Sequence, residues 1–572
     1  MSGDVPVLPP HASVGGARPL LWIALAISVI GAFSGRDLWA PDEPRYGLVA
    51  RGMIETGDLL VPRINGRPYA EKPPLVFWAV AISGATLGGL DPVTARLPCA
   101  LFTALAVLFT ARLARRWFGD TAMADTSALL FATTGLVLWN GSRVALDLPM
   151  TACALAALEA GTVFVARGRW TSCLACGAAL GLGLLAKGPH ALYVPISALV
   201  GGCLAAGAGR RLRDPRWLVV LVLAVGLLAA WVVPAISAAG TGPAYNDKRS
   251  FGERLLGQVA SRLSGESEPH ASGLLDLWPQ LLAFGLPWTP FWALALWRAR
   301  RPWKGPVEDR FGLGAAIAGL LVPMVLLSLQ STKRDIYLLP LYPLAAILAA
   351  HAAHRLAGTR SGLHTAHAVA GVGMFCALCT FAAPLLAHAS FLPLDASDLD
   401  EVRNFAQGAL PFALGAAGTL VLAGSLAAWS WAARPAAALR VMAIGFAAAW
   451  LIVGAAVVPS FDTWKSLRSA VAAGEAAAPG APLAIGGSAD ASPLWAFQRG
   501  RLLETNPFSY REAASRLAAA SPRILLIAKT KWWSERGKWA GKDVTVLDRA
   551  TVVWERTIGG TGYVLLTNAP PP

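Results

Sequence analysis

The sequence predicts an all-α polytopic membrane protein with a small C-terminal α/β domain. Three observations carry this. The 572-residue chain is 55% hydrophobic and only 15% charged, with a mean hydropathy of +0.51. Apolar runs of about 20 residues recur along most of it, the length a helix needs to cross a bilayer. After residue 460 short apolar runs alternate with polar helical stretches, the pattern of a small α/β fold.

The chain opens on a Pro/Gly-rich stretch to Arg18 without a basic leader region, so the first apolar run reads as a retained helix. The apolar segments are 19–35, 74–90, 92–117, 120–140, 147–166, 171–186, 189–207, 217–238, 274–297, 311–330, 335–354, 366–390, 408–432 and 439–459. From Arg112 onward, basic clusters at Arg112/Arg115/Arg116, Arg167/Arg169, Arg210/Arg211/Arg213/Arg216, Arg298/Arg300/Arg301/Lys304, Arg355/Arg360 and Arg434/Arg440 follow every second segment. That is the parity expected if all of them are cytoplasmic. With the N-terminus also inside, 74–90 cannot span. It starts at Pro73-Pro74, contains Gly84, Gly88 and Gly89, and reads as an interfacial helix. The expectation is about thirteen spans, N-terminus in the cytoplasm and C-terminal domain outside. The division is a membrane domain over 1–459, with a first outer loop over 36–91, and a domain over 460–572.

The net charge of +15 does not point to nucleic acid. The basic residues sit in short clusters between apolar runs, not in one stripe with interleaved aromatics. Membrane lipids and orientation account for them. The seven cysteines lie in apolar segments, and Cys173/Cys176 and Cys376/Cys379, although CxxC-spaced, read as small apolar residues.

This topology gathers the chemistry-bearing residues on the outer face. The first loop carries Asp42-Glu43-Pro44-Arg45-Tyr46 and then Tyr69-Ala70-Glu71-Lys72-Pro73-Pro74. Acids opening a helix can simply cap it or favour its dipole. Their company suggests more. A catalytic base needs a carboxylate held ionised, and a departing lipid phosphate needs fixed cations. Asp147, two residues before Pro149, opens a later helix on the same face. There it either caps or orients an acceptor. Lys187 and Lys333, with Tyr337, either snorkel or bind phosphate. His270, in an outer loop over 239–273, pairs with Glu71 as a candidate cation site. Glu159, costly in mid-span, is expected to face other helices. A secondary transporter or flippase is the reading from another class. It expects ionisable residues near the midplane and matched broken halves, not a cluster at one face.

After 460, runs at 483–485, 524–527, 544–547 and 563–566 read as strands, and 463–477 and 510–519 as helices.

The set Asp42-Glu43-x-Arg45-Tyr46, Gly57-Asp58-x4-Arg63-x-Asn65-Gly66, Tyr69-x-Glu71-Lys72-Pro73-Pro74 and Arg96-Leu97-Pro98 resembles the first outer loop of bacterial polyprenyl-phosphate-dependent glycosyltransferases. The lipid A aminoarabinose transferases of the protein O-mannosyltransferase-like superfamily are the nearest group. Asp147-Leu-Pro149, Leu185-Ala-Lys187-Gly188-Pro189, Leu286-Pro287-Trp288 and Lys333-x3-Tyr337-x2-Pro340 are similar to that family as well. The resemblance is strong over 35–345 and weak beyond. It implies a GT-C-type fold, a bacterial inner-membrane location and a periplasmic C-terminal domain. It also implies an undecaprenyl-phosphate sugar donor, with 4-amino-4-deoxy-L-arabinose as the sugar and lipid A, another glycolipid or a protein as acceptor. By position, Asp42 stands for the family's essential aspartate, Lys72 for its phosphate-binding lysine and Glu71 for a metal- or substrate-binding glutamate. Arg45, Tyr46 and Tyr69 stand for pocket residues, and Arg501 for an arginine that reaches the donor phosphate. The resemblance leaves a divalent metal ion open as a cofactor. Ala70 departs from the family, which often has an aromatic there.

Overall fold

The computed structural model describes residues 18–245, 247–264, 273–299, 307–330, 333–355, 359–360, 396–431, 435–486, 491–497, 524–536, 550–558 and 560–568. It also describes Leu517 and scattered positions between 363 and 379. In chain order the elements begin with α1 (Pro19–Ile30), α2 (Asp42–Thr56), β1 (Arg63–Ile64), β2 (Arg67–Pro68), α3 (Leu75–Thr86) and α4 (Pro92–Phe118). Next come α5 (Thr121–Ala132), α6 (Gly135–Asn140), α7 (Asp147–Arg167), α8 (Trp170–Lys187), α9 (Tyr193–Ala205) and α10 (Trp217–Ala239). They continue with α11 (Phe251–Ser264), α12 (Leu277–Phe284), α13 (Thr289–Ala299), α14 (Val307–Ser328), α15 (Tyr342–Arg355), α16 (Ala396–Trp431) and α17 (Pro435–Ile452). The C-terminal stretch holds α18 (Asp462–Lys465), α19 (Arg468–Ala477), β3 (Leu483–Gly486), α20 (Ala491–Phe497), β4 (Leu525–Lys529), α21 (Thr530–Ser534), β5 (Thr551–Ile558) and β6 (Thr561–Thr567).

Among the described residues, eight helices are long and apolar enough to cross a membrane. The chain is therefore a multi-span membrane protein. Two segments expected as single spans are each broken in two. Segment 120–140 divides into α5 and α6, and 274–297 into α12 and α13. The breaks meet: Gly135 N donates to Leu286 O at 3.3 Å. Non-helical backbone at membrane depth needs such partners. Segment 366–390 lies largely outside the described residues. The helix expected within 74–90 forms as α3, whose 12 residues rise about 18 Å, too little to cross about 30 Å of hydrocarbon.

The contacts divide the chain into two compact units. The first comprises Met1–Ser34, Arg96–Val233 and Gly257–Val457. It is a helical bundle with a core around Trp117, Trp288, Phe291, Phe311 and Tyr342. Helices α9 and α14 approach through small residues. A Cβ on Gly201 would sit 2.2 Å from Ala318 Cβ, and one on Gly314 would sit 2.4 Å from Ala205 Cβ, the close packing small residues allow between spans. Glu159 faces other helices as expected. Its carboxylate accepts from Arg112 Nε at 2.8 Å and Arg116 Nη2 at 2.9 Å, so the buried charge is paired. Cys173 and Cys176 are buried and free in α8.

The second unit comprises Gly35–Ala95, Pro234–Leu256 and Val458–Pro572. The first loop over 36–91 thus packs with the C-terminal stretch. Four strands run β3-β4-β6-β5. β3 is parallel to β4, and the other two pairings are antiparallel. Leu526, Val564 and Leu566 form the buried face. Strand β5 was not anticipated. The run expected at 544–547 and most of 510–519 lie outside the described residues. The helix expected over 463–477 is interrupted between Lys465 and Arg468. In the first loop, β1 and β2 pair across Asn65-Gly66, with φ of 50° and 77°, as a two-residue primed turn requires.

Candidate active site

Helix α2 carries Asp42 and Arg45 of the second unit. It starts after Pro41, with no side-chain cap, and ends at Gly57, whose φ of 71° lets its N–H close on Met53 O. Pro41 is thus the cap position, and Asp42 stands in the first turn, where its charge suits the helix dipole. Its Oδ1 lies 3.8 Å from Arg45 Nη1, both side chains partly exposed. Glu43 is structural. It is buried against Arg36, with Nη1–Oε2 at 2.5 Å and Nη2–Oε1 at 3.1 Å, and it accepts from Trp39 N at 3.0 Å.

Tyr46 and Tyr69 are 3% and 1% exposed. Both pack on Phe77, at 5.6 and 6.1 Å between ring centroids, and Tyr69 also meets Tyr245 at 6.3 Å. The Tyr69 hydroxyl and Arg45 Nε are buried and make no hydrogen bond of normal geometry, although the guanidinium lies close enough for each to act on the other's ionisation. Burial works against the Arg45 charge, but Tyr69, Asp42 and Tyr46 outweigh it and raise its pKa. Burial likewise raises that of the Tyr69 phenol, with Arg45 opposing. The site therefore presents a protonated phenol and a permanent cation side by side. Each unsatisfied buried polar atom costs about 1–3 kcal/mol, which a substrate oxygen would relieve.

Glu71 is next in the same loop. Its Oε1 accepts from Arg254 Nη2 at 2.8 Å and Nε at 3.0 Å. Arg254 Nε also lies 3.2 Å from Asp247 Oδ2. The Arg249 side chain and backbone hold Asp247 at a pKa of about 2. Lys72 follows, half-buried. Asp247 and Tyr245 were not singled out from the sequence, and Arg254 stood out only as one of the polar residues of the outer loop. They lie in a stretch read as loop, where α11 actually begins. Phe251, Leu255, Val259 and Leu263 recur at helical spacing and mark that helix.

The expected cation pair of Glu71 with His270 cannot be assembled here, because His270 lies outside the described residues, as does Arg501. Among the described residues no three His, Cys, Asp or Glu side chains converge as metal ligands. Among the described residues Glu71 gives one oxygen to the Arg254 guanidinium.

The remaining expected residues lie in the helical unit. Asp147 is the first residue of α7 and caps nothing through its side chain. Its Oδ1 is bound by Lys187 Nζ, with side chains 2% and 9% exposed. The same ammonium lies 4.4 Å from the Tyr337 ring centroid. Gly188, at φ 86° and ψ −152°, takes a backbone conformation open mainly to glycine and turns the chain directly after Lys187. A small cleft is lined by Asp147, Lys187, His190, Tyr193 and Tyr337 among others. Gln330 joins its rim, with Oε1 3.3 Å from His190 Nε2 and Nε2 3.2 Å from the Tyr193 hydroxyl. Lys333 donates to Gln330 O at 2.7 Å. His190, Tyr193 and Gln330 were not anticipated. The sequence offered only their nearness to Lys187 and Lys333.

An apolar multi-span bundle carrying a loop of acids, cations and buried phenols is the make-up of a membrane glycosyltransferase. A family model described as dolichyl-phosphate-mannose-protein mannosyltransferase matches residues 71–235. The undecaprenyl phosphate-alpha-4-amino-4-deoxy-L-arabinose arabinosyl transferase of Serratia proteamaculans (strain 568) is 29% identical over 433 residues, 72% of this chain and 73% of the relative. Arabinosyl transferase 1 of the same description from Sodalis glossinidius (strain morsitans) is 30% identical over 417 residues, 71% of this chain and 69% of the relative. The chain belongs to this arabinosyl transferase family. Its fold is that of ArnT from Cupriavidus metallidurans. The apo crystal structure gives a TM-score of 0.72 at 20% identity, covering 97% of this chain and 98% of that one. The structure of the same protein bound to undecaprenyl phosphate gives 0.71 at 21%, covering 97% and 99%.

Proposed function

We propose that this glycosyltransferase moves 4-amino-4-deoxy-L-arabinose from its undecaprenyl-phosphate carrier to lipid A at the periplasmic face of the inner membrane. The relatives' names support the donor and the sugar. The observation that carries the site is the cluster of Asp42, Arg45, Tyr69, Glu71 and Arg254 within one compact unit. In the transfer an acceptor oxygen bonds to the anomeric carbon as the bond from that carbon to the phosphate oxygen breaks. The lipid phosphate leaves with one more negative charge. Lys72 and Arg45 stabilise that charge, and Arg254 adds to it while bridging Glu71 and Asp247. Tyr46 and Tyr69 shape the pocket, and the Tyr69 phenol donates to a substrate oxygen. A lipid A phosphate is already anionic, so Asp42 orients the acceptor rather than deprotonating it.

The topology that fits this reading has about thirteen spans, a cytoplasmic N-terminus and a periplasmic C-terminal α/β stretch. The basic clusters between segments support it. In the helical unit, Asp147, Lys187 and Tyr337 line a second pocket, and Lys333 donates to Gln330 O; these cations are further candidates for the lipid phosphate. Arg501 completes the reading as a further phosphate ligand. Mass spectrometry of lipid A and membrane glycolipids from cells with wild-type protein and with Asp42→Asn tests the proposal. The wild type should add aminoarabinose to lipid A and the folded variant should not. Modification of a different lipid would replace the acceptor, and retained transfer by the variant would remove Asp42 from the mechanism.

A further inference from the structure

Helix α2 carries Asp42 and Arg45 but begins without a side-chain cap. Its entry is held from the other end of the chain. Asp462 accepts Asp37 N on both oxygens, at 3.1 and 3.0 Å, and Trp39 Nε1 at 2.7 Å. Asp37 is 5% exposed. It accepts from Leu38 N at 2.8 Å, from Trp495 Nε1 at 3.2 Å and from the Ser466 hydroxyl. Arg468 balances the two carboxylates, 3.4 Å from Asp37 Oδ2 and 3.6 Å from Asp462 Oδ2. Trp495 also lies along α2 itself. The Arg51 guanidinium sits 4.6 Å from its ring centroid, and a Cβ on Gly47 would come within 3.0 Å of its ring.

We propose that Asp462 and Trp495 are positioning residues for the transfer, through which the C-terminal α/β stretch fixes the start of α2 and so aims Asp42 and Arg45. A domain that only lay on headgroups would have no need to set the half-buried Asp462 carboxylate on the first loop or to supply Ser466, Arg468 and Trp495 to the buried Asp37, because buried charges are costly unless paired. What is held also matters. The anchored residues Asp37 and Trp39 lie within five positions of Asp42, so a shift there moves the carboxylate directly. A misplacement of about 1 Å at a reacting group can cost about 100-fold in rate.

The inference rests on the reading that Asp42 serves the reaction, and the test separates the two. kcat and donor KM are measured on full-length enzyme in detergent, with an undecaprenyl-phosphate-linked aminoarabinose donor and lipid A, alongside the unfolding midpoint. Asp462→Ala should lower kcat about 10- to 100-fold with donor KM within about threefold. Asp462→Asn, which keeps an oxygen for Trp39 and Asp37, should recover most of kcat. Trp495→Phe keeps a ring against Gly47 and Arg51 but loses the Asp37 bond, and it should lower kcat more mildly. It decides the matter if Asp462→Ala does not fold. Wild-type kcat in both Asp462→Ala and Trp495→Phe, or equal damage from Asp462→Ala and Asp462→Asn, overturns the positioning role while an inactive Asp42→Asn leaves the site reading standing. An active Asp42→Asn overturns both.

Discussion

Arg254 binds a single oxygen of Glu71, through Nη2 at 2.8 Å and Nε at 3.0 Å, across 183 positions of sequence. Both side chains are about a third exposed. An ion pair of that exposure contributes only about 0.2–1 kcal/mol to stability, whereas a cation facing a leaving phosphate is worth about 100- to 1,000-fold in rate. Arg254→Gln should therefore barely move the unfolding midpoint yet reduce transfer by about 100-fold or more. A calorimetric scan beside a turnover assay checks this. Equal losses in both would make Arg254 structural.

Asp147 and Lys187 follow the opposite arithmetic. Their side chains are 2% and 9% exposed. Removing one partner leaves an uncompensated buried charge, at a cost of about 3–5 kcal/mol. Lys187→Met should destabilise the protein by that amount, and adding Asp147→Asn should restore most of it. Chemical denaturation in mixed micelles reads the double-mutant cycle. Additive losses would show that the two residues are not coupled.

How far these sites were legible depended on sequence locality. Asp42, Arg45, Tyr69 and Glu71 lie within one polar interval between apolar runs, so their grouping could be read directly. Arg254 could not be placed, because its partner sits 183 positions away and distance in sequence hides ion pairs. Lys187 was visible as a costly outer-end charge and Asp147 as an acid opening a helix, but not as partners of one another. Glu43 reads like Asp42 in sequence. Only the structure shows Arg36 consuming it. The overlooked strand β5 had its own signal, the β-branched run Thr551-Val552-Val553 before Gly559-Gly560, which is a hairpin pattern. The breaks in 120–140 and 274–297 had less. A Thr-Thr pair and a Pro-Trp step do not outweigh a continuous apolar run.

Tyr69 gives a pH prediction. Its pKa is raised above the ordinary value of 10.0 by burial. Above pH 10 the phenol ionises in the unfolded chain but stays protonated in the folded one, so its contribution to stability falls as pH rises. Tyr69→Phe lacks this term. The unfolding midpoint of the wild type should fall more steeply than that of the variant between about pH 9 and 11, roughly one unit either side of the ordinary phenol value at which the unfolded chain ionises. The activity lost in Tyr69→Phe should be the same from pH 6 to 9, because the wild-type phenol is protonated throughout. A loss confined to the alkaline end would mean that Tyr69 ionises in the folded site.

The charge parity of the loops yields the last prediction. Arg112, Arg115 and Arg116 close α4, Arg167 closes α7, and Arg210, Arg211 and Arg213 precede α10. Positive residues flanking spans in this way stay in the cytoplasm. An odd number of crossings after a cytoplasmic N-terminus puts the C-terminal α/β stretch in the periplasm. Alkaline phosphatase fused after Pro572 should then be active, and the same enzyme fused after Gly209, within the arginine cluster before α10, should be inactive. Green fluorescent protein at these two points should give the reverse pattern. A fluorescent fusion after Pro572 would mean an even count of crossings, and would place the Asp462 and Trp495 side of the second unit in the cytoplasm, away from any periplasmic lipid acceptor.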